Sequence, residues 1–156
     1  MAIALTNRGM TPIKGQAAFL PNQPILHNCI ISPAESATIY PGDVLTFDTT
    51  QTALDGLIVL KKAAQTDVPV GVVPYQAVNE AFVANDRVSV FDTNAYVYMI
   101  AGAASMTAGT EVNVNSSGQV VAATAGQGVV GVLYTGAAAA GDFVVIKVKQ
   151  GTVPAA

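Results

Sequence analysis

The residues best equipped for chemistry in this chain are His27 and Cys29, two positions apart and each the only residue of its type. A single histidine excludes zinc sites that need two histidine ligands. Residues two apart on a strand share a face without forming a nucleophile–base pair, and no third group is evident to orient the histidine. The sequence therefore predicts a packed cysteine and a half-exposed histidine at the start of a strand, with no catalytic residue and no metal site.

A glycine-rich segment, Gly126-Gln-Gly-Val-Val-Gly, matches the dinucleotide-binding fingerprint letter for letter. That motif binds a pyrophosphate only where a helix N-terminus with free N–H groups follows the glycines. Here the next residues are Val132-Leu-Tyr-Thr-Gly, which predict another strand and a turn. We therefore expect no cofactor at this segment.

Three aspartates follow a glycine or an asparagine and precede a valine-containing segment, in Gly42-Asp43, Asn85-Asp86 and Gly141-Asp142. Glycine and asparagine tolerate positive φ, and the carboxylate can accept backbone N–H groups across a tight turn. Calcium would need about six to eight oxygens converging on one point, whereas these turns are spaced to begin separate strands. They are predicted to be structural turns. A glycosidase-like pair of carboxylates is disfavoured as well, because the chain has no tryptophan to line a sugar groove.

From residue 25 onward, short segments rich in β-branched and aromatic residues alternate with turn residues. They include Val44-Leu-Thr-Phe, Ile58-Val-Leu, Val70-Gly-Val-Val, Val88-Ser-Val-Phe and Tyr96-Val-Tyr-Met-Ile. Strands this short and frequent predict an all-β fold, either a small β-barrel or a sandwich. Helix is limited to one short piece at residues 76–81 or a turn near residues 137–140.

Tyr96 and Tyr98 alternate with Val97 and Met99, so that one pair faces the core and the other faces outward. Tyrosines on an outward face fit an interface anchor and fit packing between strands equally well.

The same order of signals occurs twice along the chain, which predicts two similar β-rich repeats. Four pairs of positions match, and the separation within the pairs falls along the chain. The pairs are Gly42 and Gly109 (67 residues apart), Gly56 and Gly118 (62), Gly71 and Gly131 (60), and Asp86 and Asp142 (56). The falling separations indicate shorter loops in the second copy, because loops tolerate length changes and strand registers do not. We expect one β domain over residues 25–150, with repeat one at about 25–93, repeat two at about 94–150, and a flexible tail at 151–156.

Residues 1–24 form a distinct N-terminal segment, in which glycines and prolines punctuate a mildly apolar stretch. Proline lacks the N–H that helices and sheets use, so an extended arm is expected. Its apolar side chains are Ile3, Leu5, Ile13, Phe19 and Leu20, together with Met10. Such an arm packs on its own body, on a sister subunit or on a different partner.

Composition narrows the class of protein. Hydrophobic residues make up 51% of the chain and charged residues only 11%, with a net charge of −3. This excludes disorder and argues against nucleic-acid binding, and no apolar run is long enough for a membrane helix. A single cysteine allows no internal disulfide, which suits synthesis in a reducing cytoplasm. So little charge predicts that much of the surface meets other protein.

The repeated Gly-Asp or Asn-Asp turns, linked by Val-Gly-Val segments in a small, charge-poor chain with one cysteine, resemble the capsid decoration (cement) proteins of tailed bacteriophages. The resemblance covers roughly residues 25–148. It implies a small β-rich protein that binds the outside of the expanded phage head, as a dimer or a trimer. It also implies terminal arms that reach onto the major capsid protein or a neighbouring subunit. That family has no catalytic residues to carry over.

The expected function is thus that of a non-enzymatic virion structural protein. It would be made in the host cytoplasm, bind the outer capsid surface and stabilise the lattice of the major capsid protein. We expect capsid or subunit contacts at Ile3, Leu5, Ile13, Phe19 and Leu20, and no cofactor, nucleic acid or membrane partner. The alternatives are another virion component, such as a head or tail fibre module, and a small ligand-binding β-barrel.

Overall fold

The computed structural model of the chain describes residues 12–19, 22–52, 56–76 and 81–156, and every regular element in these ranges is a β-strand. The strands are β1 (Ile25–Ile31), β2 (Val44–Phe47), β3 (Ile58–Lys62), β4 (Gly71–Val72), β5 (Arg87–Phe91), β6 (Tyr96–Ile100), β7 (Glu111–Val114), β8 (Val120–Ala122), β9 (Gly128–Leu133) and β10 (Phe143–Thr152). The prediction of an all-β fold is confirmed. In this part of the chain no helix is long and apolar enough to cross a membrane.

Strands β1 to β5 close into a barrel, the first barrel, in the order β1-β3-β2-β4-β5 with β5 pairing back onto β1. β1 and β3 are parallel, and the other neighbours are antiparallel. Side chains alternate along each strand, so every second residue points inward. Ile31, Leu45, Leu60 and Val90 point into the barrel and are fully buried. The first half of the chain therefore adopts the barrel rather than the sandwich.

Strands β6 to β10 form a five-stranded antiparallel sheet, the second sheet, in the order β6-β10-β9-β7-β8. β10 lies between β6 and β9 and is the longest strand. A single parallel bridge between Ala101 and Val120 brings the chain at the end of β6 next to β8. The sheet thus curves back on itself around a core that includes Val97, Met99 and Ile146.

The three aspartate turns adopt the predicted geometry. Oδ2 of Asp43, Asp86 and Asp142 each accepts the backbone N–H of the residue three positions earlier, at 2.8, 2.8 and 2.9 Å respectively. The preceding residues have positive φ angles, of 83° at Gly42, 70° at Asn85 and 93° at Gly141. The interpretation of these positions as structural turns is confirmed, because each carboxylate binds its own turn.

The first barrel and the second sheet are packed face to face. Three side chains on the outside of the barrel, Val44, Val72 and Phe91, lie opposite one another on β2, β4 and β5. They belong to the hydrophobic cluster of the second sheet, and none is more than 4% exposed. We call them the apolar row. Its burial joins the two halves into one domain.

Polar contacts at the same junction are concentrated on Gln65. Its carbonyl oxygen accepts hydrogen bonds from Asn113 Nδ2 at 2.7 Å and from the Gly128 N–H at 2.8 Å. Its side-chain amide donates to the Val114 carbonyl at 3.1 Å. One residue in a loop of the first barrel is thereby bound to β7 and to β9, which fixes the two halves in orientation.

Residues 15–18 pair with the edge of β6 that β10 does not occupy. The Gly15 N–H donates to the Tyr98 carbonyl and the Ala18 N–H to the Tyr96 carbonyl, both at 2.8 Å, and Tyr98 N–H donates to the Gln16 carbonyl at 2.9 Å. The described part of the predicted arm therefore lies on its own body, one of the three expected possibilities.

The C-terminal residues differ from the expected loose tail. β10 extends to Thr152, because its pairing with β9 resumes after an irregularity between Val148 and Gly151. The Val153 N–H then donates to the Gln127 carbonyl at 2.8 Å. The segment predicted to be flexible from residue 151 is thus a strand over its first two residues.

Helix was predicted at two places, and the structure describes only one of them in full. At residues 137–140 the chain forms turns, and Ala137 bridges to Met106 as an isolated β-bridge. Most of residues 76–81 lies outside the described ranges.

A substitution at Gly71 in β4 would test how tightly the first barrel is packed. A Cβ added there would overlap the Phe91 carbonyl oxygen, which is backbone and cannot move aside cheaply. We expect Gly71→Ala to lower the free energy of unfolding by about 1–3 kcal/mol or more, the usual range for overpacking. Urea denaturation followed by circular dichroism measures this change.

Gly151→Ala is the matched control, because a Cβ there meets only Val129 Cβ at 4.0 Å. Its effect should stay within about 0.5 kcal/mol of zero. Equal midpoints for the two variants would show that β4 does not lie against β5 as described.

Candidate interaction surface

The most exposed aromatic side chains that contact one another lie on the second sheet. The rings of Phe19, Tyr96 and Tyr134 form a cluster with centroid separations of 5.6 Å (Phe19–Tyr96), 6.0 Å (Phe19–Tyr134) and 5.0 Å (Tyr96–Tyr134). The two contacts of Tyr96 are edge-to-face, the arrangement that aromatic quadrupoles favour. Phe19 and Tyr134 nevertheless remain 47% and 54% exposed. The cluster is therefore ordered by its own contacts and still open to a partner.

The alternation of β6 positions this cluster. Val97 and Met99 are fully buried, whereas Tyr96 and Tyr98 are half-buried on the outer side. The prediction that the two pairs occupy opposite faces is confirmed. On the neighbouring strand, Val145 lies opposite Tyr98 and is also on the outer side, yet it is only 2% exposed. Val145 is therefore largely covered, although it lies on the outer side of the sheet.

We use the name aromatic face for this outer side of the second sheet, formed by Phe19, Tyr96, Tyr98, Tyr134 and Phe143. A cation lies beside it: the Nζ of Lys147 is 5.8 Å from the centroid of the Tyr96 ring. Large amphipathic rings with a cation at the side are typical of protein–protein contact surfaces. The arrangement can bind apolar or aromatic groups and can donate hydrogen bonds from its hydroxyls.

Of the five predicted contact residues, the structure brings one into this face. Phe19 reaches it because residues 15–18 run along β6. Ile13 is exposed in the preceding turn, where its carbonyl accepts the Gln16 N–H at 2.9 Å. Ile3, Leu5 and Leu20 lie outside the residues that the structure describes. Their contacts stay predictions.

Tyr134 was not singled out in the sequence, although it completes the cluster. It follows β9 directly, and its N–H donates to the Val145 carbonyl at 2.8 Å. No local pattern reveals this, because only the pairing of β9 with β10 places it near β6. The alternation around Tyr96 was the available signal, and it located Tyr96 and Tyr98, two of the five residues of the face.

The candidate chemistry of the His27–Cys29 segment is absent from the structure. Cys29 is buried, and its Sγ lies against the Leu26 and His27 carbonyl oxygens at 3.8 and 3.6 Å. Burial, with a smaller contribution from Asp92, raises the pKa of the thiol to about 11. The thiol is thus protonated at neutral pH, while the exposed His27 ring contacts Ser89 instead. The prediction of a packed cysteine is confirmed.

The glycine-rich segment is also structural. Residues 124–127 form a turn in which the Gln127 N–H donates to the Thr124 carbonyl, and β9 follows at once. The Gly128 N–H is used by the Gln65 carbonyl at the junction of the two halves. The N–H groups of this segment therefore donate to carbonyl oxygens within the protein.

A buried carboxylate with two lysines lies at the same junction. Asp43 is 4% exposed and lies 3.4 Å from Lys62 Nζ and 4.0 Å from Lys14 Nζ. Burial lowers the pKa of Lys14, and the Asp43 carboxylate opposes that shift. The Lys14 side chain lies across Gly42 and ends at Gly118, one glycine from each half. The group therefore ties the N-terminal segment to both halves.

No protein-family model matches this chain, and no curated protein matches it either. Within the described ranges, no three histidine, cysteine or carboxylate residues are grouped so that they could hold a metal ion.

Asp48 is a carboxylate held by several hydrogen bonds, and its ionisation predicts how the stability of the fold depends on pH. Its Oδ2 accepts the Ser32 hydroxyl at 2.5 Å, and its Oδ1 accepts the Thr50 hydroxyl and N–H at 2.7 and 3.0 Å. These bonds, led by the one from Ser32, hold the pKa of Asp48 below its ordinary value of 3.8.

Because the folded-state pKa is lowered, the ionised form stabilises the protein above the unfolded pKa, and this stabilisation is lost as the pH falls through the folded pKa. We expect Asp48→Asn to lower stability at pH 7 and to flatten the decline of stability below about pH 4. Urea denaturation over a pH series measures both effects.

Ser32→Ala keeps the carboxylate but removes its first donor, which raises the folded-state pKa of Asp48 toward the unfolded value, so the acid-dependent decline should be smaller and should end at a higher pH. An Asp48→Asn variant with the wild-type dependence on pH would contradict a role for this group.

Proposed function

We propose that this chain is a non-enzymatic structural protein that binds the outer surface of a phage head and stabilises the lattice of the major capsid protein. The observation that carries the proposal is the aromatic face. It is an ordered, exposed and apolar surface on a charge-poor body. The groups that suggested catalysis are used in packing, in turns and at the junction of the halves. A surface built for contact fits a cement protein better than an enzyme.

The physical requirements of a cement protein agree with this body. It must add contact area across seams of a shell under internal pressure, and a stable interface typically buries about 1,200–2,000 Å². Binding only to the assembled lattice stabilises that lattice by mass action. A surface with few charges makes such binding insensitive to salt. We propose a dimeric or trimeric assembly on the shell, in contact with the major capsid protein.

The predicted contact residues belong to this proposal. Phe19 supports it, because it stands exposed in the aromatic face with ordered neighbours. Ile13 is exposed at the start of the same segment. With Ile3, Leu5 and Leu20, these residues make the N-terminal arm the part proposed to reach a capsid subunit or a sister subunit.

We also infer that the two halves are copies of one β unit. The support is that their strands pair in the same order and in the same register. In the first barrel Val44 lies opposite Val72, which lies opposite Phe91. In the second sheet the corresponding residues are Glu111, Val132 and Lys147, which lie opposite one another in the same way.

The glycines of the two halves support the same inference. Gly71 lies against the carbonyl oxygen of Phe91, and a Cβ on Gly131 would lie 2.6 Å from the carbonyl oxygen of Lys147. Both positions need glycine because the next strand passes directly over them. Two unrelated sheets would have no reason to share this requirement at matching residues.

Duplication gives the aromatic face a context. The apolar row of the first barrel is buried by the second sheet. The matching residues in the second sheet, Glu111, Val132 and Lys147, are half-exposed, and Lys147 lies opposite Tyr96 at the border of the aromatic face. The outer side of the first barrel is therefore buried against the second sheet, whereas the matching side of the second sheet is open. We favour this open side as the surface that meets a partner.

The alternatives fit less of the structure. A small ligand-binding barrel needs space inside, whereas the first barrel is filled by side chains such as Ile31, Leu45 and Leu60. A head or tail fibre module would use an exposed face in the same way, and copy number distinguishes it.

Copy number relative to the major shell protein is the decisive measurement, made by quantitative mass spectrometry on purified particles. Decoration of the whole lattice predicts about one-third to one copy per shell subunit, because the protein repeats with the symmetry of the shell. A handful of copies per particle would instead indicate a fibre or tail part. Absence from particles would refute the structural proposal.

Tyr134→Ala should weaken binding to expanded heads about thirtyfold or more, because truncating a central aromatic costs about 2 kcal/mol or more. Tyr40→Ala is the matched control, since Tyr40 is 53% exposed and belongs to an unrelated turn of the first barrel. Sedimentation of protein with heads measures both affinities, and thermal unfolding checks that both variants fold.

A truncation that removes residues 2–11 tests Ile3 and Leu5 while leaving the paired segment at residues 15–18 in place. Weaker binding would assign the arm to the capsid contact. If Tyr134→Ala and Tyr40→Ala bind alike, the aromatic face is not the docking surface.

A further inference from the structure

A β-bulge in β1 distinguishes the outer face of the first barrel from that of the second sheet. Leu26 lies opposite Val90 and Cys29 opposite Val88, so that His27 and Asn28 together face Ser89. Asn28 adopts a φ of 61°, in the left-handed region that side chains other than glycine seldom adopt. An inserted residue re-aims its neighbours, and such bulges are concentrated beside functional sites.

The second sheet lacks this insertion at the matching place. There Val97 lies opposite Ile146 and Met99 opposite Val144, so that Tyr98 alone faces Val145. The single apolar Tyr98 is thus replaced in the first barrel by the polar pair His27-Asn28. Where the second sheet has an aromatic face, the first barrel has polar groups.

The bulge lines a shallow cavity of about 240 Å³ on the outside of the barrel. Its walls are His27, Asn28, Cys29, Gln76, Arg87, Val88 and Ser89. His27 Nδ1 lies 3.2 Å from Ser89 Oγ. In the tautomer in which Nδ1 accepts the Ser89 hydroxyl, the N–H of the ring is on Nε2 and can donate into the cavity. The cavity therefore gathers hydrogen-bond donors from an imidazole, two amides and a guanidinium.

The charge in this cavity is that of Arg87. No carboxylate of the described residues forms an ion pair with it. The nearest acids along the strand are already bound: Asp86 accepts the Val83 N–H, and Asp92 accepts the Thr93 N–H. Cys29 contributes no charge, because its thiol is protonated at neutral pH. Among the described residues, Arg87 is thus an exposed cation at this cavity with no carboxylate in ion-pair contact.

We propose that this cavity binds a carboxylate group, with Arg87 as its charged partner and His27, Asn28 and Gln76 as further hydrogen-bond donors. A planar guanidinium matches a carboxylate with two parallel hydrogen bonds. One cation balances one negative charge, whereas a phosphate dianion would leave excess charge on a protein that is itself acidic. The proposal stands independently of the capsid function. The carboxylate comes from an acidic side chain or from the end of a peptide chain.

Acetate is the probe, titrated into the ¹⁵N-labelled full-length chain at fixed ionic strength with sodium chloride as the reference. Saturable shifts are expected at Asn28, Ser89, Arg87 and the His27 ring, with none at the aromatic face. Arg87→Gln should weaken acetate binding about tenfold or more, since the charge-assisted pair is lost. Lys61→Gln, which removes a cation from another strand of the same barrel, should leave it unchanged.

Asn28→Gly provides a variant that keeps the fold, because glycine accepts the positive φ without strain. It should unfold at the wild-type temperature or above while binding acetate several-fold more weakly. Two blocked tripeptides, one with a central glutamate and one with a free C-terminus, identify the source of the carboxylate. The peptide that binds more tightly carries the preferred kind of carboxylate. Shifts that chloride or sulfate reproduces, or an Arg87→Gln variant that binds like wild type, would overturn the proposal.

Discussion

Val44, Val72 and Phe91 point away from the interior of the first barrel, and water would meet all three if the second sheet were removed. Burying a large apolar side chain stabilises a fold by about 1.5–3 kcal/mol. Three such side chains therefore contribute an amount comparable to the whole net stability of a small domain, which is about 5–15 kcal/mol. The second sheet must accordingly stay on the barrel. Its position then determines where Gln65 finds its partners and where residues 15–18 can add to β6.

The two halves share a strand plan and differ in what they expose. The first barrel buries its apolar row and carries the polar cavity around Arg87 on the outer side of β1 and β5. The second sheet leaves its matching row half-open and carries aromatic rings on the outer side of β6 and β10. A single inserted residue at His27-Asn28 accounts for much of this difference. The two halves thus pair their strands in the same order and present two kinds of surface.

Neighbouring residues in the sequence predicted the strands and turns well. The features that the sequence did not predict depend on pairing between strands that are far apart in the chain. The aspartate turns and the placement of Tyr96 and Val97 on opposite faces follow from neighbouring residues, and both were predicted. Tyr134 was missed because it reaches Tyr96 only through the pairing of β9 with β10. The strand at Gly151 and Thr152 was missed for the same reason, since its partners, Val129 and Gly128, are more than twenty residues away. The bulge at Asn28 leaves no pattern in the sequence, because asparagine is equally common in ordinary turns.

Edge protection is the less obvious consequence of the segment at residues 15–18. A sheet edge with unpaired N–H and C=O groups is a template for aggregation, and charged side chains commonly guard such edges. This chain has few charged residues that could guard its sheet edges. The first barrel avoids the problem by closing on itself, and residues 15–18 occupy the outer edge of β6 in the second sheet. The closed barrel and the covered edge of β6 therefore remove two templates for strand addition from a protein whose surface is poor in charge.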